Sequence, residues 1–96
     1  MAGSRELGSK YFGRSVKKWR LIANLSQEDL AERARLGVTM LGTAERERGH
    51  ISTEVLCKLS LGLESELGKP MLETLFIESF TAMWKDSLAT EARLRE

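Results

Sequence analysis

The stretch Ser26-Gln-Glu-Asp-Leu-Ala-Glu-Arg-Ala-Arg-Leu-Gly-Val-Thr-Met-Leu-Gly-Thr-Ala-Glu-Arg46 decides the fold. Ser26-Gln-Glu-Asp29 is an S-x-x-D capping signature, with acids in the first turn where a helix N-terminus favours negative charge. It opens a short helix predicted over about 27–34, with Leu30, Ala31 and Ala34 facing inward. Arg35-Leu36-Gly37 then breaks the periodicity and reads as a tight turn that points Leu36 at the core. A second short helix, about 38–46, buries Leu41 and Ala44. Two short helices across a turn of three residues form the unit around which the rest is arranged.

Working outward, every periodic segment keeps the three-to-four spacing of a helix. Upstream, Phe12, Val16, Trp19 and Ala23 form one stripe of a helix over about 12–23, and Asn24 suits a left-handed C-cap. Residues 1–11 are expected to be a flexible N-terminal arm. Downstream, residues 47–51 contain Gly49 and read as loop. Ser52 or Thr53 caps a helix of about 53–62 that buries Val55, Leu56 and Leu59. Residues 63–69 read as a connection in which Leu63 and Leu67 can pack. Pro70, the only proline, is placed as the first residue of a long helix over about 70–90. Residues 89–96 are polar and expected to fray. No alternating run is long enough for a strand. The fold class is all-α: a compact bundle of about five helices, residues 12–63 forming one domain and residues 64–96 a C-terminal helix for packing and dimerisation.

Ninety-six residues, 42% apolar and 30% charged, make one small globular domain. No run of about 18 apolar residues spans a membrane, and the N-terminus has no secretory apolar segment. A single cysteine makes no internal disulfide, which points to a reducing, cytoplasmic setting. The net charge of +1 conceals an asymmetry. Residues 1–50 carry ten Lys/Arg against six acids, whereas residues 51–96 carry five against eight. A basic half joined to an acidic half suits a protein with one face toward a polyanion; ordinary solvated helix faces are the alternative.

A capped helix, a tight turn and a second helix make a helix-turn-helix, whose second helix has the dimensions of the DNA major groove. Here the residues resemble a family. Leu25-Ser-Gln-Glu-Asp-Leu-Ala-Glu-Arg-Ala34, with Leu36, Thr39, Leu41, Gly42 and Glu45-Arg46, is similar to the Xre/Cro-like helix-turn-helix of phage repressors and small bacterial regulators. The likeness, lambda-repressor-like in fold, runs without a gap from about Phe12 to Leu63. It takes in Gly13-Arg-Ser-Val-Lys-Lys-Trp-Arg20 and Ser52-Thr-Glu-Val-Leu-Cys-Lys-Leu59. Within the family the chain most resembles controller proteins of restriction–modification systems, which have Arg-Thr-Tyr-Ile-Gly in place of Val38-Thr-Met-Leu-Gly42.

The resemblance implies a double-stranded DNA operator as partner and roles for particular residues. Val38, Thr39 and Thr43 match positions that face base edges. Gln27, at the start of the second helix, matches a phosphate contact supported by the helix terminus. Arg46 and Arg48 would reach phosphates. Arg20 and Glu45 match a buried structural ion pair joining the first helix to the end of the third. Lys10, Arg14, Lys17 and Lys18 add flanking basic charge or simply form a solvated face. The reading face departs from the family in having no long polar side chain: it offers Val38, Thr39, Met40, Gly42 and Thr43. Arg35 stands where the family often has glycine, and Gly37 where Ser or Thr usually caps. A shifted register, with Glu47-Arg48-Gly49 as the family's Glu-Arg-Gly, would bury Thr43 and Arg46 and is rejected.

From Met71 onward, Met71, Leu72, Leu75, Phe76, Phe80, Met83, Trp84 and Leu88 follow helical spacing over nearly five turns, with Ile77 to one side. This is more apolar surface than one small bundle needs. The expectation is a homodimer interface at Phe76, Phe80, Met83 and Trp84; a purely intrachain core is the alternative. His50 and Cys57 are the only residues of their types, Cys57 being expected as a small buried residue. Neither a nucleophilic triad nor a zinc site is assured by them, and no phosphate-binding glycine loop is present. No metal or cofactor is expected, and the protein is not read as an enzyme. Two function classes remain: a dimeric, sequence-specific DNA-binding regulator, a repressor or autoregulator in type, and a protein-interaction module such as a toxin-neutralising antitoxin that uses the last helix.

Overall fold

A computed structural model describes residues 2–46 and 51–95, with side chains for residues 10–46 and 51–94. The order is α1 (Ala2–Ile22), α2 (Gln27–Ala34), α3 (Val38–Glu45), α4 (Thr53–Leu67) and α5 (Leu72–Arg95), with no strand among the described residues. α1 lies along α5 and crosses α3, while α2 packs on α4 and α3. The molecule is elongated, 47 × 24 × 19 Å, because the two longest helices run side by side.

Local chemistry explains the short elements. At α2, Asp29 N–H donates to Ser26 Oγ at 3.0 Å and Ser26 N–H to Asp29 Oδ2 at 3.3 Å, a complete capping box. The Ser26 hydroxyl and backbone N–H together hold the Asp29 carboxyl below the usual carboxylate range. Asn24 and Arg35 both adopt the left-handed conformation, at φ 58° and 56°. In each case the next N–H reaches back five residues, Leu25 to Arg20 O and Leu36 to Ala31 O. These are Schellman turns, and each turns a leucine toward the core. Arg35 therefore occupies a conformation more comfortable for glycine. Gly37 is the N-cap of α3 and offers no side-chain cap bond.

Val16, Leu30, Leu41, Leu59, Leu63, Met71 and Leu75 are fully buried at the centre. Phe12, Trp19, Leu36, Ile51, Val55, Leu67 and Phe76 close over them. One contact sets the approach of α1 to α3. A Cβ on Gly13 would stand 2.2 Å from the Ala44 carbonyl oxygen, so only glycine allows the two backbones this near.

Four boundaries differ from the sequence expectation. The N-terminal arm expected over residues 1–11 is helical in its backbone from Ala2, and buried Tyr11 holds the helix against α5 through a bond to Asp86. The connection expected at 63–69 is instead the end of α4, which puts the expected division at 63/64 inside that helix. Leu63 is wholly buried, and the turn waits for Gly68 at φ 70°. Pro70 lies before α5 rather than in its first turn: buried Met71 takes the capping position, its carbonyl accepting from Leu75 N–H at 2.9 Å. The C-terminal residues read as fraying continue α5 to Arg95. Cys57 is half-buried rather than fully buried.

Candidate nucleic-acid interface

The site is built from α2, the turn and α3, with α1 as its support. Arg20, near the end of α1, crosses to Glu45 at the end of α3. Its Nε donates to Glu45 Oε2 at 2.7 Å and its Nη2 to Oε1 at 3.1 Å, while Nη1 caps the Leu25 carbonyl at 2.8 Å. Both side chains are buried. A two-pronged guanidinium–carboxylate pair of this kind fixes orientation as well as distance. Gln27 joins it, Nε2 donating to Glu45 Oε1 at 3.0 Å. The Gln27 side chain is thus turned to the ion pair, and what it leaves at the start of α2 is the helix's own N–H groups.

Held this way, α3 buries Leu41, Gly42, Ala44 and Glu45, so that Gly42 is not part of the open reading face expected from the sequence, and turns its other side out. Val38 is 41% exposed and Met40 50%, Thr39 is exposed and Thr43 half-buried. Thr43 Oγ1 donates to the Thr39 carbonyl at 3.0 Å. Arg46, exposed, folds back toward the same oxygen, with Nη2 at 3.4 Å. The rejected register would have buried Thr43 and Arg46; in the structure Glu45 is the buried polar residue of this turn. Arg48 and His50, together with Glu47 and Gly49, lie outside the described residues.

The basic residues of α1 divide. Lys18 pairs with Glu78 of α5 and also lies 5.1 Å from the Trp19 ring, so it belongs to the α1–α5 seam. Lys10 and Arg14 flank the Tyr11 ring, each at 5.9 Å. Lys17 is exposed. The seam itself was not legible in the sequence. Glu78 accepts from Ser15 Oγ at 2.9 Å, from Trp19 Nε1 at 2.6 Å and from Lys18. Burial pushes its carboxyl up, but the hydrogen bonds from Lys18, Trp19 and Ser15 outweigh burial and hold it below the ordinary range. Ser15, Lys18 and Trp19 share a helix face by spacing, the one available signal; their acidic partner lies about sixty residues away in sequence.

On α5, Phe76 is half-buried and meets Phe12 edge-on at 5.2 Å, and Phe80 stacks beside Phe76 at 5.9 Å. Met83 is half-buried. Phe80 remains 53% exposed and Trp84 64%, in line with exposed Ile77 and Leu88. Among the described residues no helix is long and apolar enough to cross a membrane, and no cluster of His, Cys, Asp or Glu is arranged to hold a metal ion.

Two short helices across a Schellman turn, the second clamped by a buried ion pair and exposed along one side, define a DNA-binding helix-turn-helix protein. The family model described as Helix-turn-helix matches residues 16–69, more than half of the chain. The chain belongs to that Xre/Cro-like family of transcription regulators. No curated protein and no solved structure matches it significantly.

Proposed function

We propose that the protein is a sequence-specific transcriptional regulator, a repressor or autoregulator that places α3 in the major groove of a two-fold operator as a homodimer. The observation that carries this reading is the clamped α3. A recognition helix must be held rigidly while its outer face stays free, and Arg20, Glu45 and Gln27 do the holding. Val38, Thr39 and Thr43 face the bases, offering methyl groups to thymine and hydroxyls for single hydrogen bonds. The N–H groups opening α2 at Gln27, together with Arg48, meet phosphates. α5 supplies the dimer contact through Phe76, Phe80, Met83 and Trp84.

A second reading is supported by the exposed line Ile77, Phe80, Trp84 and Leu88 on α5: a protein-interaction module, such as an antitoxin, with DNA binding secondary. Fluorescence anisotropy separates the two. The probes are DNA upstream of the protein's own reading frame and a scrambled duplex, each at two salt concentrations. The regulator reading expects a preference of about a thousandfold or more and a steep salt slope. It also expects replacement of Thr39 and Thr43 by Glu to abolish that preference without unfolding the chain. Weak binding indifferent to sequence, alongside a co-purifying partner protein, favours the second reading.

A further inference from the structure

The outward side of α3 carries no long polar side chain of its own between residues 38 and 43. The structure brings one there from outside the helix. Arg46 is the residue that ends α3, at φ −80° and ψ 7°. Its side chain does not extend from the helix end but runs back over the last turn. Nη2 stands 3.4 Å from Thr43 Oγ1, and Nη1 stands 3.3 Å from the point that a Cβ on Gly42 would occupy. The Gln27 carbonyl oxygen Oε1 lies 3.8 Å from that same point. The guanidinium therefore lies over Gly42 and beside Thr43. Thr43 is set up to receive it: the hydroxyl proton is committed to the Thr39 carbonyl, so the oxygen turns its lone pairs toward Arg46.

We propose that Arg46 is a base-reading residue whose ligand is guanine. Its guanidinium, seated on Gly42 and steadied by Thr43, presents N–H donors on the α3 face, where the major groove displays guanine O6 and N7. A bidentate pair of this kind is the commonest specific contact in that groove. It supplies the long polar reader that Val38, Thr39 and Thr43 do not. The family likeness implies a phosphate contact for this residue, which calls for a side chain directed to the groove edge; the seat on Gly42 holds it inward instead. The assignment rests on the proposal that α3 enters the major groove.

The test is selection from a randomised duplex library by the wild-type chain, Arg46→Ala, Arg46→Gln and Gly42→Ala, with folding monitored by circular dichroism. The wild-type chain is expected to select one G·C pair in each half-site. Arg46→Ala should relax that position alone by about tenfold to a hundredfold. Arg46→Gln should move it toward adenine, glutamine's own bidentate partner. Gly42→Ala crowds only the end of a flexible side chain and should fold, yet weaken the preference at the same position. If Arg46→Ala weakens every sequence equally and lowers the salt slope by about one, Arg46 is a phosphate contact and the proposal is overturned. An unchanged selection profile overturns it too. A folded wild-type chain that enriches no sequence removes the DNA reading itself, and the Arg46 assignment with it.

Discussion

Arg20 decides where α3 lies, because its guanidinium ties α1 to two points at once: Glu45 at the end of α3, and the Leu25 carbonyl that leads into α2. Removing one partner leaves the other buried and uncompensated, so Arg20→Ala or Glu45→Ala should each cost about 3–5 kcal/mol, read from urea unfolding. Replacing both by apolar residues of similar volume should recover much of that loss. A single substitution that costs less than about 1 kcal/mol would show that the pair does not hold α3. Gly13 matters for a steric reason. With a Cβ only 2.2 Å from a backbone oxygen, Gly13→Ala forces α1 away from α3, and neither main chain yields cheaply. We expect destabilisation of about 1–3 kcal/mol, although alanine is the better helix former. A rise in Tm would contradict this account.

The element with two distinct faces is α5. Its inner face carries Met71 and Leu75 into the core, and Glu78 ties it to α1. The folded state holds the Glu78 carboxyl below its ordinary range, so the stabilisation it gives is present above the unfolded-state value of 4.5. That contribution is lost as the pH falls through the lower folded-state value. Glu78→Gln should cost about 1–2 kcal/mol near neutral pH, modest for charged hydrogen bonds because Lys18 is half exposed. The gap between wild type and variant should close in acid, as measured by denaturation at pH 6 and pH 3. A gap that widens in acid would reverse the assigned sign. Ser79, on the same helix, buries its hydroxyl without a hydrogen-bond partner among the described residues.

For the molecule as a whole, the outer face of α5 is the candidate interface. Ile77, Phe80, Trp84 and Leu88 stand in line with helical spacing and all are exposed. A large aromatic at the centre of such a line is the kind of residue that anchors an interface. On the homodimer proposal, sedimentation equilibrium should find a dimer that Trp84→Glu converts to monomer. The same variant should bind an isolated half-site normally and the full operator poorly. A wild-type chain that is monomeric both free and on DNA would remove α5 from the dimer model.

Much of α2 and α3 was legible in the residues themselves because their determinants are local. A serine three residues before an aspartate, just ahead of a helical apolar run, is a local capping signal, and Leu30, Ala31, Ala34, Leu41 and Ala44 declare an inner side by spacing alone. Asn24 as a left-handed cap is equally local. The ends of α1, α4 and α5 were not legible, because they depend on partners remote in sequence: Tyr11 on Asp86, Leu63 in the shared core, and Met71 capping in place of Pro70. The candidate site divides along the same line. Its exposed positions on α3 follow from periodicity, and Arg46 lies over Gly42 four residues before it, but Gln27 turning to Glu45 is set by what packing brings beside it. By itself the sequence determined an all-helical chain with a helix-turn-helix at its centre, since hydrogen bonding within a turn and apolar periodicity act over a few residues. Only the tertiary structure decided how closely α1 approaches α3, which acid meets Lys18, and where the Gln27 amide turns, because each depends on surfaces that exist only once the helices are packed.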